Sequence, residues 1–202
     1  ALNSAIDFSV GAENLTLSPG SQSTLGANIS LGSGGTLTLN GTTNWSTGLA
    51  IAGAGASSVL EIPSGQTLTL TGGGGVHGTF DNLTVNNSGT INLQTAGVNE
   101  DFKLNNGAVL NNVTGGQIRF VGGEQQIHTS AGSGTLNNSG GTISLVGAVN
   151  GTINPTTFNN AGTIDVGTGT LSTGGNALTN TSGGVISGTG TLDLGGAMLT
   201  NS

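Results

Sequence analysis

The chain has 202 residues, and Lys+Arg 2 against Asp+Glu 9 give a net charge of -7 with only 5% charged residues. Two cations cannot displace the counterions of a nucleic-acid backbone or hold an anionic lipid surface, so neither is an expected partner. Cys 0 removes disulfides, thiolate zinc sites and thiol nucleophiles together, and no apolar run approaches the roughly 18 residues of a membrane span, so no membrane insertion is expected.

Residues 1–14, where Ile6, Phe8 and Val10 alternate, read as an N-terminal cap or a first rung. Residues 15–202 read as one continuous repeat. Runs such as Thr67-Leu68-Thr69-Leu70 alternate in steps of two, which places aliphatic side chains on one face of a strand and hydroxyls on the other. From residue 85 a phrase recurs: an apolar residue and two amides, followed shortly by Gly-Thr-Ile. Val85-Asn86-Asn87 precedes Gly89-Thr90-Ile91, Leu136-Asn137-Asn138 precedes Gly141-Thr142-Ile143, and Phe158-Asn159-Asn160 precedes Gly162-Thr163-Ile164.

Anchored on that phrase, one apolar column reads Leu17, Leu39, Ile62, Val85, Leu110, Leu136, Phe158, Leu178, Leu199. A second reads Leu70, Leu93, Ile118, Ile143, Ile164, Ile186, and a third Val76, Phe102, Ile127, Ile153, Leu171, Leu192. Three columns imply three short strands per turn, with Gly, Asn, Ser and Thr clusters at the corners, where glycine can take positive φ. A unit of this kind cannot bury its own inner face and must stack on its neighbours. The expected fold is therefore all-β, a right-handed parallel β-helix of about nine three-strand rungs, roughly 45 Å long, with longer rungs around residues 85–136. Amides one rung apart can donate and accept along the axis, so Asn86, Asn111, Asn137 and Asn159 are expected to form one ladder and Asn87, Asn112, Asn138 and Asn160 another.

The phrases Asn87-Ser88-Gly89-Thr90-Ile91, Asn138-Ser139-Gly140-Gly141-Thr142-Ile143 and Asn160-Ala161-Gly162-Thr163-Ile164 resemble the repeats of filamentous-haemagglutinin and autotransporter-passenger adhesins of Gram-negative bacteria. The resemblance covers residues 80–202 well and the first 80 loosely. It implies secretion, a β-helical shaft and a role in attachment or fibre building.

The acids Asp7, Glu13, Glu61, Asp81, Glu100, Asp101, Glu124, Asp165 and Asp193 are scattered rather than paired, and no catalytic constellation or cofactor motif emerges, so no enzyme activity and no cofactor are expected. One region gathers ionisable groups. His77, Lys103 and His128 follow the third-column residues, with Glu100, Asp101 and Glu124 nearby, a candidate patch for an acidic sugar or a metal ion, against the favoured reading of a solvated loop with local charge pairing. Two histidines without a carboxylate geometry assign no metal site. Trp45 is a candidate for stacking on a sugar, against a core-filling role.

The expected function is that of a non-catalytic extracellular structural or adhesive element, a cell-surface stalk or fibre. The chain stops inside a repeat at Thr200-Asn201-Ser202, which suggests end-to-end self-association or continuation in a longer chain, with a host or environmental glycan as a further candidate partner. The alternatives are an ice-binding β-solenoid, which needs one continuous outward Thr face, and a polysaccharide-binding or depolymerising β-helix. The outward column Asn92, Arg119, Ser144, Asp165, Ser187 is too mixed for the first.

Overall fold

Short alternating runs of Leu, Ile, Val, Thr and Asn suit a pleated surface, and the glycine clusters between them stop each run after a few residues. A computed structural model describes residues 6–8, 13–17, 22–46, 48–72, 78–95 and 100–202, and these runs form its strands. Each strand pairs in parallel with the strands one repeat before and after it, never with its neighbours in sequence. Three parallel sheets result, and the chain is an all-β parallel β-helix with no helical segment among the described residues.

Sheet 1 contains Ile6–Phe8, Ile29–Leu31, Ala50–Gly53, Thr79–Asp81, Glu100–Asn105, Glu124–His128, Asn150–Asn154, Thr170–Ser172 and Thr191–Asp193. Sheet 2 contains Asn14–Leu17, Thr36–Leu39, Val59–Ile62, Thr84–Asn87, Ala108–Val113, Gly134–Ser139, Thr157–Asn160, Leu178–Asn180 and Leu199–Asn201. Sheet 3 contains Gln22–Leu25, Thr42–Trp45, Thr67–Gly72, Thr90–Thr95, Gln117–Gly122, Thr142–Leu145, Thr163–Asp165 and Val185–Ser187. Ile6–Phe8 pairs with Ile29–Leu31, so it is the outermost strand of sheet 1, whereas Val10 lies outside the described residues.

One continuous core runs between the sheets, from Leu25 to Leu178. Its columns differ from the expected ones by two residues at several places. Val85 stands over Leu60, and Leu60 over Leu37, so the column through Val85, Leu110, Leu136 and Phe158 continues downward as Leu60, Leu37 and Leu15. Leu39 and Ile62 belong instead to the next inward column, which becomes asparagine at Asn87. In sheet 3, Leu70 and Leu93 lead to Phe120, while Ile118, Ile143, Ile164 and Ile186 stand over Ile91 and Leu68. Phe102, Ile127 and Ile153 stack as expected, but Leu171 sits over Gly151 rather than Ile153, and Val76 lies outside the described residues. The reason is common to all these slips: positions i and i+2 of a strand both face inward, so aliphatics at both leave the register open by one pleat.

The widest side chains gather in one place. Trp45 stacks on Phe80 with ring centroids 5.1 Å apart, and Phe80 meets the edge of Phe102 at 4.7 Å. Phe80→Ala empties the middle of this stack and is expected to lower stability by about 3 kcal/mol or more. The emission of Trp45, the one tryptophan of the chain, reports the loss as a lower urea midpoint, and an unchanged midpoint would show that the cluster is not tightly packed.

The two asparagine ladders are hydrogen-bonded, on opposite faces of sheet 2. Asn87 donates to Asn112 at 2.7 Å, Asn112 to Asn138 at 2.8 Å, and Asn138 to Asn160 at 2.7 Å, all buried inside the coil. This inner ladder extends beyond its expected members, with Asn160 donating to Asn180 and Asn180 to Asn201. Each amide also crosses the corner: Nδ2 of Asn87, Asn112 and Asn138 donates to the carbonyls of Gln117, Thr142 and Thr163, where sheet 3 begins. On the outer face the direction reverses. Asn159 donates to Asn137, Asn137 to Asn111, Asn111 to Asn86, and Asn86 at 2.9 Å to the Glu61 carboxylate, which closes the row with an acceptor.

The glycines of the recurring phrase are there mainly for space. A Cβ on Gly116 or Gly141 would press into the backbone of the rung below and into the Asn112 amide. In the pairs Gly115-Gly116 and Gly140-Gly141 the two roles separate, since the first glycine has a φ of 86° or 92° and the second provides the close approach.

Candidate functional site

Outward-facing side chains alternate with the core residues, so each sheet presents columns of polar groups along the axis. The register decides which of the expected patch residues meet. Lys103 and His128 are direct partners on adjacent strands of sheet 1. Below Lys103 stands Thr79, not His77, and His77 itself lies outside the described residues. Counting along the chain misses this, because loops of unequal length absorb the difference between rungs.

Glu100 and Asp101 open the strand Glu100–Asn105, and in register they pair with Gln125 and Gln126. Glu124 and His128 lie at opposite ends of one strand, four residues and about 13 Å apart. Among the described residues no three His, Asp or Glu side chains converge as a metal site would require. Trp45 is 1% exposed and enclosed by the aromatic stack, so it offers no ring to a sugar from outside; this corrects the stacking expectation. Its width is used to fill the core where Gly78 faces it, a Cβ there coming within 2.9 Å of the indole.

The topology keeps Asp165 and Asp193 apart. Asp165 belongs to sheet 3, in the outward column Asn92, Arg119, Ser144, Asp165, Ser187, and Asp193 belongs to sheet 1.

The register also assembles a feature that charge patterns do not reveal. On the outer face of sheet 1, Glu124, Gln126, Asn150, Thr152, Thr170 and Ser172 line an open groove of about 340 Å³. Glu124 stands beneath Asn150 and Gln126 beneath Thr152, with Ser172 above Thr152. The Thr170 N–H donates to Asn150 Oδ1 at 3.0 Å, which fixes that carboxamide. A second concavity, of about 310 Å³, lies at the following corner between Thr129, Ser130, Asn154, Thr156 and Asn176. Most of these residues are neutral, and nothing in their chain spacing distinguishes them from the polar background; only the strand register places them side by side. No family model, curated protein or solved structure matches this chain.

Proposed function

We propose that the chain is a non-catalytic shaft segment of an extracellular, cell-surface structure, a stalk or fibre of the adhesin type whose repeats it resembles. The observation that carries this reading is the unbroken axial order: three parallel sheets, one core and two hydrogen-bonded ladders run along the same direction. Such a solenoid resists bending because its rungs are bonded to one another on all three sheets. Near-absence of charge fits a surface selected for stacking and display rather than for ion-driven binding.

Asp165 and Asp193 stand on different sheets and so form no carboxylate pair of the kind glycan cleavage uses, which supports binding or display. Ice binding has one observation in its favour, the outward column Thr42, Thr67, Thr90, interrupted by Gln117 and resumed by Thr142 and Thr163. The adjoining column with Arg119 and Asp165 breaks the flat hydroxyl array that ordered water would need.

The reading is tested on the source cells: antibodies against the chain are expected to label intact, unpermeabilised cells, and label appearing only after permeabilisation would sink it.

A further inference from the structure

We propose that the groove on the outer face of sheet 1 binds an uncharged polysaccharide lying along the helix axis, three sugar units spanning the strands Glu124–His128, Asn150–Asn154 and Thr170–Ser172. The proposal rests on the shaft reading only for where the sugar is met, namely outside the cell.

Three properties of the groove point to this ligand. Its lining side chains are three carboxamides, three hydroxyls and one carboxylate, whereas a groove for an apolar molecule would be walled mainly by hydrophobic and aromatic residues. Carboxamides and hydroxyls both donate and accept, which matches the hydroxyls of a sugar, themselves donors and acceptors. The charge in the lining is the Glu124 carboxylate, and the chain as a whole carries -7, so an acidic polysaccharide is repelled. The nearest cation, Lys103, stands one rung lower and in the next column, beneath His128.

The second property is shape. At the middle strand the inward position is Gly151, and a Cβ there would lie 2.6 Å from the ring of Phe120. The missing side chain lets this strand approach the core, so the groove floor is set by the packing beneath it. The third is rigidity and repeat. Parallel pairing holds successive members of each polar column about 4.8 Å apart along the axis, of the order of one sugar ring, and pre-sets their positions before any ligand arrives.

The test uses the full chain, isotopically labelled, titrated with cellotetraose, maltotetraose and xylotetraose and, for contrast, tetragalacturonate. At least one neutral tetrasaccharide is expected to shift the backbone amide resonances of Gln126, Asn150, Thr152, Thr170 and Ser172, while tetragalacturonate leaves them in place. Thr152→Arg, an outward substitution that fills the groove centre, is expected to bind about tenfold more weakly or not at all. Gln126→Ala, which removes a carboxamide and adds no bulk, is expected to weaken binding in the same direction if the arginine variant fails to fold. No response to any neutral sugar, equal affinity for tetragalacturonate, or undiminished binding by the folded variants overturns the proposal. Cell-surface labelling without sugar binding keeps the shaft and removes the groove; sugar binding by a protein confined to the cell interior does the reverse.

Discussion

Asn138→Leu is expected to cost about 3 kcal/mol, whereas the chemically identical change Asn87→Leu costs less than about 1 kcal/mol, as read from urea denaturation by circular dichroism. Asn138 is in the middle of the inner ladder. It accepts from Asn112, donates to Asn160 and donates across the corner to the Thr163 carbonyl at 3.0 Å. With leucine in its place, Asn160 Oδ1 has no donor below it and Asn112 Nδ2 keeps only the Thr142 carbonyl. A buried polar group left without its partner costs about 1–3 kcal/mol, and two are disturbed at once.

Asn87 is the lower end of the ladder. Its Oδ1 is buried without a hydrogen-bond partner, because the residue beneath it in the column is Ile62. Leucine at 87 extends the aliphatic column of Leu39 and Ile62 by one rung and removes an acceptor that was already unsatisfied. It leaves Asn112 Oδ1 and the Gln117 carbonyl without this donor but orphans no N–H, a loss that the added apolar burial largely offsets. Equal costs for the two variants would mean that the ladder is not the continuous polar device that its geometry describes.

A second large effect is expected for Gly141→Ala, a loss of about 3 kcal/mol or more, against about 1 kcal/mol for Gly147→Ala. Gly141 has an ordinary φ, and its obstacle is steric: a Cβ there would come within 2.6 Å of Asn112 Cγ and within 2.9 Å of the Asn112 carbonyl oxygen. Neither atom can retreat, since the amide is locked into the ladder and the carbonyl belongs to the strand below. Gly147 has a φ of 80°, and a Cβ there meets nothing within 4 Å, so its replacement costs only the left-handed backbone conformation. Thermal melts of the two variants distinguish space from conformation, and a Gly141→Ala variant no less stable than Gly147→Ala would refute the close approach. This packing also explains the phrase Asn-Ser-Gly-Thr-Ile in physical terms. The asparagine joins the ladder, the glycine clears room against the rung below (the Pro63 and Gln66 carbonyls at Gly89, the Asn112 amide at Gly141, the Asn138 amide at Gly162), and the isoleucine returns the chain to the core.

Alternation of aliphatic and polar residues in the amino-acid sequence was enough to determine short strands, three per turn, stacked into a parallel coil, because each repeat has an apolar face that only another repeat can cover. The outward column Asn92, Arg119, Ser144, Asp165, Ser187 was legible for the same reason, and so was the pairing of Lys103 with His128, whose rungs are of similar length. Alternation from Val85 also directs Asn87 inward, but asparagine is a common corner residue, and whether the strand runs on through position 87 before the bend is not written in its type.

Only the tertiary structure decided the register. Leu37 and Leu39, or Leu68 and Leu70, are interchangeable on periodicity alone, since a slip of two residues keeps every side chain on its own face. That register puts Thr79 beneath Lys103 and Leu171 onto Gly151. It also brings Gln126, Asn150, Thr152 and Ser172 together on one surface. The ladders, the glycine clearances and the groove are made mainly of contacts between residues twenty or more positions apart, so they exist only once one rung has settled on the next.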